Sequence, residues 1–207
     1  MTTPAATTRP LRADARRNRE KILVGARAAF EELGLDAQME DIARRSGVGV
    51  GTVYRHFPTK EALVRALVVD KVDVMAKLAE QYLEPAKEDG WGAFTGFVHA
   101  CAEHHVRDRA LAQVVSTTPA SEFIEIAMDS GFLKTIATLL RHAQREGVAR
   151  KDLVATDLGL LFCGMSAVVQ SFGEAAAPRY VELVLAGMKN NEAPRLPAPP
   201  RLAKPRD

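Results

Sequence analysis

Residues 38–60 read QMEDIARRSGVGVGTVYRHFPTK. The order is a helix-forming segment, a tight glycine-containing turn, and a second short helix, which is the layout of a helix-turn-helix. Ile42, Ala43, Val48, Val53 and Phe57 are spaced to lock the two helices together, and Ala43 is small enough for a close crossing. Gly47 falls where the chain must turn without a Cβ penalty. Gly49, Val50, Gly51, Thr52, Tyr54, Arg55 and His56 are left at the start and on the outside of the second helix, beside Arg44 and Arg45 of the first. Hydroxyl and imidazole groups there can hydrogen-bond base edges, while arginines neutralise the phosphate backbone. A helix starting at Thr59-Lys60 points free backbone N–H groups outward, and Lys60 adds charge to this phosphate-binding end. The competing reading is a buried helical hairpin, but such a hairpin does not require Thr, Tyr, Arg and His together on its solvent face. For Arg44 and Arg45 taken alone, a plain solvated face remains open.

Outward from this motif the apolar period stays helical. Ile22, Leu23, Ala26, Phe30 and Leu33 recur at steps of three and four, predicting a first helix over about 14–33 that Gly34 ends. The second helix is expected at about 39–46 and the third at about 50–57. A long fourth helix is expected at about 59–83, with Thr59 as its N-cap and Glu61 in its first turn. Further helices are expected at about 91–106, 107–116, 119–146, 153–173 and 177–189. Residues 1–12 read as a disordered arm, and the tail 191–207 as disordered and Pro-rich. No alternating run of strand length occurs, so the fold class is all-α with about nine helices. The domain reading is a DNA-binding unit over 13–60, its motif at about 38–57, followed by a larger effector-binding and dimerisation domain over 61–190.

The chain has 207 residues with 28 Lys/Arg and 26 Asp/Glu, a net charge of +2. That average hides an asymmetry. Residues 1–65 carry 12 basic and 8 acidic side chains, 66–189 carry 12 and 16, and 190–207 carry 4 and 2. A basic front end on an acidic body suggests two tasks in one chain. The cluster over 9–27, with seven Lys/Arg and two acids, is either helix solubility or an arm that tracks the backbone. Apolar residues make up 47%, which rules out wholesale disorder, and no run is long enough to span a membrane. The N-terminus lacks the apolar centre of a signal peptide, and two cysteines are too few for a disulfide scaffold, so a cytoplasmic protein is expected.

The run Ile42-Ala43 followed by SGVGVGTVYRHFPTKEAL, with the first-helix pattern Arg19 to Lys21, Ile22-Leu23, Ala26, Phe30 and Gly34, resembles the DNA-binding signature of the TetR family of transcriptional regulators. The resemblance covers about 50 residues; the rest matches only in length and helical character. It implies a homodimer on a palindromic operator, with the helix at 50–57 in the major groove. It also implies a C-terminal domain that binds a small effector and dimerises. Carried over by position, Thr52, Tyr54 and His56 are recognition contacts, Lys60 touches phosphate, and Arg17 or Arg19 adds a backbone contact. Two positions depart from the common pattern: Gln38 stands where a Thr usually caps the second helix, and Gly49 where a Ser or Thr often caps the third. Gly caps only slightly worse than those residues.

In the C-terminal part an effector cavity is expected among the fifth to eighth helices. Phe97, Cys101, Met128, Phe132, Phe162 and Met165 are its candidate apolar lining, and His104, Gln113, Ser166 and Gln170 its candidate orienting groups. Most of these apolar residues could equally be plain core. Cys101, His104 and Asp108 share one helical stretch and raise the alternative of a metal site or a helical enzyme. No G-x-S-x-G, H-E-x-x-H or phosphate loop accompanies them. The glycines at 47, 49 and 51 follow a helix and not a strand, so they are no dinucleotide fingerprint. The expectation is therefore no catalysis, no metal and no cofactor. Small residues at 159, 164, 166 and 167 permit close helix approach, and helices at about 153–189 are the expected dimer surface.

Overall fold

The computed structural model describes residues 8–108, 112, 114, 117–190 and 194–199. Among them are nine α-helices: α1 (Thr8–Leu33), α2 (Met39–Ser46), α3 (Val50–His56), α4 (Lys60–Glu80), α5 (Gly90–Arg107), α6 (Ala120–Asp129), α7 (Phe132–Arg145), α8 (Asp157–Phe172) and α9 (Ala177–Met188). No strand is present among the described residues, and the one isolated bridge joins Ala149 to Lys189. The chain divides into two compact units, Met1–Leu67 and Val68–Asp207, with the boundary inside α4.

In the first unit α1 packs on α2 and α2 on α3. Ile22, Ala26, Phe30, Ile42, Val53 and Leu63 form its core. A Cβ on Gly25 would lie 2.6 Å from the backbone nitrogen of Ser46. The helix crossing is thus set by the missing side chain of Gly25, in addition to the small Ala43. The reading of 1–12 as an arm is corrected from Thr8 onward, because residues 8–12 are helical. Pro10 is tolerated there, since N–H groups of a first turn have no intrahelical partner. Residues 1–7 lie outside the described residues.

In the second unit α5 packs on α7, α8 on α9, and α9 on α5. Phe94, Phe97, Leu139, Leu161, Met165 and Val181 are among its buried side chains. The N-terminus of α5 is satisfied by two carboxylates: Gly92 N donates to Asp89 Oδ1 at 2.7 Å, and Gly90 N and Trp91 N donate to Glu146 Oε1 and Oε2, the latter at 3.0 Å. The bonds to Glu146 pin α5 to the end of α7. The single helix expected over 119–146 is two helices. Asp129-Ser130-Gly131 breaks it, with Gly131 in the left-handed region at φ 75°, where an L side chain is strained. The fourth helix ends at Glu80, ahead of a turn and a short 3-10 segment at Pro85–Lys87. Of the helix expected at 107–116, most lies outside the described residues.

The tail expected to be disordered is partly tied down. Arg150 is buried and donates from Nε and Nη2 to the two oxygens of Asp152, each at 3.0 Å. Its Nη2 also donates to Pro194 O at 2.7 Å, and Leu196 N donates to Asp152 Oδ2 at 2.7 Å. The same groups hold the Asp152 carboxyl far below the usual carboxylate range, the Arg150 hydrogen bond first and the Leu196 N–H second. Residues 191–193 and 200–207 lie outside the described residues.

Candidate nucleic-acid interface and effector site

The turn between α2 and α3 is built from local chemistry. Gly47 ends α2 at φ 64°, and Val48 N donates to Ala43 O at 3.2 Å, satisfying a terminal carbonyl. Gly49 is extended at the N-cap of α3, and its carbonyl accepts from Thr52 N at 2.8 Å. Gln38 occupies the N-cap of α2, where Asp41 Oδ2 accepts from Gln38 N at 3.0 Å. That is the returning half of a capping box. The Gln38 side-chain Nε2 donates to Asp36 O, at 2.7 Å. At α4, Thr59 Oγ1 accepts from Ala62 N at 3.1 Å, the N-cap bond expected there. The Glu61 carboxyl is held below its usual range by its own backbone N–H and by the Thr59 hydroxyl.

With Val53 and Phe57 buried inward, α3 turns its other face outward. Gly49, Val50, Gly51, Tyr54 and Arg55 are exposed, and Thr52 and His56 are half-buried. These seven share one helix of seven residues and its cap. The basic side chains around them are not equivalent. Arg44 pairs with Asp41 across one helical turn and stays exposed. Arg45 is drawn inward, pairing with Glu32 of α1 and donating to Asp41 O at 3.4 Å. Arg17 pairs with Asp14. Lys60 turns back to donate to Leu35 O at 2.5 Å, with its ammonium 5.7 Å from the centre of the Phe30 ring. The Arg19 guanidinium lies 5.5 Å from the centre of the Phe57 ring, a cation–π contact that ties α1 to the end of α3.

Nine of the ten residues expected to line an effector cavity fall among the described residues, and their surroundings differ. Phe97 is buried against the rings of Tyr82 and Phe132, at 6.1 and 6.2 Å between centroids. Cys101 is buried with its thiol 3.5 Å from the sulfur of Met75, and burial pushes that thiol well above its ordinary range. Met165 is core and His104 is half-buried. Met128 is 64% exposed and Gln170 is exposed, because each faces away from the helices its own element packs against. Gln113 lies outside the described residues. A shallow crevice elsewhere is lined by Phe94, Ile136, Leu140, Leu153, Leu158 and Met188 among others. It contains none of the ten and has no room even for a water molecule.

What the structure does bring together is Phe162 and Ser166 of that set with His105, which was not among the expected lining residues; Lys71, also outside that set, lies at the same end of α5. His105 Nε2 lies 2.7 Å from Ser166 Oγ, and its ring stacks on Phe162 at 5.9 Å. Lys71 donates to His104 O at 3.5 Å and sits 3.8 Å from Asp108. Burial pushes His105 down to about 4; the Lys71 ammonium adds to that, and Asp108 opposes it. The metal alternative finds no support in this geometry. Cys101 faces Met75 and Asp108 faces Lys71, and no group of three His, Cys, Asp or Glu side chains converges among the described residues. His105 stands four residues after Cys101 on the buried stripe of α5, and Lys71 stands four after buried Leu67. Helical register was the signal that could have found both.

Comparison with known proteins bears on both units. The sequence model of bacterial regulatory proteins of the tetR family matches residues 22–67, and that of the SbtR-like transcriptional regulator C-terminal domain matches 89–190. The crystal structure of a TetR transcription regulatory protein from Mycobacterium vanbaalenii is 34% identical, covers 87% of this chain and 99% of that one, and superposes with a TM-score of 0.57. A TetR transcriptional regulator from Streptomyces coelicolor is 29% identical over 83% of this chain and 98% of that one, with a TM-score of 0.52. An HTH-type transcriptional regulator of Staphylococcus aureus is 46% identical over 70 residues, 32% of this chain. The chain spans about a third of the length of that curated relative, 36%.

Proposed function

This chain belongs to the TetR family of bacterial regulatory proteins, and from that premise we propose that it is a ligand-responsive repressor. It binds a palindromic DNA operator as a homodimer and is released by a small-molecule effector. The observation that carries the reading is the outward face of α3, where Thr52, Tyr54, Arg55 and His56 stand on a helix whose inner residue Val53 is fully buried. A helix held in this way presents donors and acceptors to the major groove without first having to order itself. Arg44, Arg17 and, once it leaves Leu35, Lys60 supply the phosphate contacts; Gly49, Val50 and Gly51 let the backbone approach closely. Arg45, paired with Glu32, acts by holding α2 to α1.

Dimerisation is assigned to α8 and α9. Leu160 and Phe172 of α8 and Leu183 of α9 are exposed large apolar side chains, Phe172 at 78%, and such a face is suited to a second copy. None of the helices among the described residues is long and apolar enough to cross a membrane, which fits action on DNA in the cytoplasm. α4 is continuous from Lys60 to Glu80, so a shift at its C-terminal end is carried covalently to the unit that holds α3. The effector need only favour the conformer whose recognition helices miss the ~34–36 Å half-site spacing; a 100-fold preference amounts to ~2.7 kcal/mol.

The test is a gel shift on DNA flanking the coding gene, with Tyr54→Ala and His56→Ala compared to the unaltered chain. Each substitution is expected to weaken binding by about tenfold or more, while light scattering reports an unchanged dimer. Unchanged affinity in both variants removes α3 as the reading helix.

A further inference from the structure

Three of the five glycines in the first unit have a reason inside the protein. Gly25 leaves room for Ser46, and Gly34 and Gly47 take positive φ angles of 60° and 64°. For Gly49 and Gly51 a Cβ would meet nothing within 4 Å, and neither has a positive φ. Gly49 is the N-cap of α3, a position that suits glycine nearly as well as the best residues. Gly51 lies inside the helix, where glycine is less favourable than alanine because it has more conformational freedom to lose. α3 thus carries a destabilising residue that its own packing does not call for. Gly51 precedes the fully buried Val53 by two positions, about 200° around the helix axis, so it stands at the middle of the exposed face. Its helical neighbours there are Val50, Tyr54 and Arg55; Val50 is 41% exposed, Tyr54 44%, and Arg55 is exposed too. The outermost point of α3 is therefore a notch the size of one methyl group, flanked by an aliphatic and an aromatic side chain.

We propose that this notch receives the C5-methyl group of a thymine, so that Gly51 specifies one base of each operator half-site through the group it lacks. The proposal rests on the operator reading above and gives it a base. Among the groups that base pairs present in the major groove, that methyl is the apolar one. A methyl group is also what separates glycine from alanine, so thymine fills the gap, and Val50 and Tyr54 shield the contact from water. Gly51 adds no side-chain donor or acceptor. The polar edge of another base would lose water there without a side-chain partner in return. An alanine at this position would put its own methyl where the thymine methyl belongs.

The experiment is a gel shift on the DNA flanking the coding gene, amplified once with thymidine triphosphate and once with deoxyuridine triphosphate, whose base differs only in lacking the methyl. The unaltered chain is expected to bind the thymine DNA ~10-fold more tightly, a few-fold from each of two half-sites. Gly51→Ala is expected to bind the thymine DNA ~10-fold more weakly than the unaltered chain does. It should bind the uracil DNA at least as tightly as the thymine DNA, because the alanine methyl takes the space that uracil leaves empty. Other thymine contacts affect both chains alike, so the change in preference between the chains is decisive. The variant should also melt a few degrees higher, which separates lost affinity from lost fold. A Gly51→Ala chain that binds thymine DNA as tightly as the unaltered chain overturns the proposal. So does one weakened equally on both DNAs, since the notch then meets the DNA backbone or a polar base edge. Both outcomes leave the operator reading standing. An unaltered chain that shifts neither DNA overturns that reading and the thymine contact with it.

Discussion

The two units handle charge in opposite ways. Among the described residues of Met1–Leu67 the buried side chains are all apolar, and Arg17, Arg19, Arg44 and Lys60 pair across helix surfaces or rest over aromatic rings, with Arg45 alone turned inward to Glu32. In Val68–Asp207 three functional-looking polar side chains, Lys71, His105 and Arg150, are drawn inward and matched to Asp108, Ser166 and Asp152. An exterior arrangement suits a ligand that is large and always the same, such as the DNA backbone. An interior arrangement suits a ligand that is small and must be distinguished from others. The sequence asymmetry, basic in front and acidic behind, is the coarse trace of this difference.

The contrast makes the second unit the acid-sensitive one. His105 has a pKa lowered by burial from 6.5 to about 4 in the folded chain. The unfolded chain therefore takes up a proton first as pH falls. The stabilising contribution is complete above about 6.5 and is lost progressively as pH falls toward 4, the loss reaching on the order of 3 kcal/mol there. Thermal melts between pH 7 and about 4.5 should show this slope, and His105→Gln should flatten it. A slope that survives the substitution would place the acid sensitivity elsewhere and break the contrast.

The first unit should instead be sensitive to geometry at one point. Gly25→Ala puts a methyl group 2.1 Å from Ser46 Oγ and 2.6 Å from its backbone nitrogen. The hydroxyl can rotate away but the backbone cannot, so α1 and α2 must separate. The expected loss is about 2 kcal/mol, in the range for overpacked cores, read by urea denaturation. Ligand binding by the second unit should be unaffected. Thr59→Ala is a smaller lesion in the same region. It removes the bond to Ala62 N and should cost about 1 kcal/mol.

How much was legible follows the same division. Helices α2 to α4 could be placed within a few residues because their boundaries are written locally: Gly47 at a left-handed stop, Pro58-Thr59 at a start, Val53 and Phe57 on one face. Gly25 gave no such signal, since what it permits is contact with Ser46, 21 positions further along the chain. The break at Ser130-Gly131 was legible in principle, but the apolar period continues through it and masked the turn. In the region expected to hold an effector the residue types were recognised and the register was not. His104 and His105 are adjacent, and the register that sets His105 four residues after buried Cys101 separates them, placing His105 beside Ser166. The crevice walls and the anchored stretch 194–196 depend on tertiary contacts that no local pattern announces.

The finest test of the comparison lies within the first unit, between two neighbouring arginines. Arg44 and Arg45 are identical in type, yet the Arg44 side chain is 71% exposed and that of Arg45 18%. Arg44→Ala breaks an exposed pair with Asp41, and such pairs contribute about 0.5 kcal/mol or less to stability. Its loss should appear in DNA binding: affinity falls similarly for all sequences, and the salt dependence loses about one unit of slope, the mark of one phosphate contact. Arg45→Ala should do the reverse. It frees α2 from Glu32 on α1, lowers the stability of the unit by up to about 1 kcal/mol, and leaves the salt slope unchanged. If both variants change the slope equally, the inward turn of Arg45 is not kept on DNA, and the division between the residues that touch the operator and those that hold the helices must be redrawn.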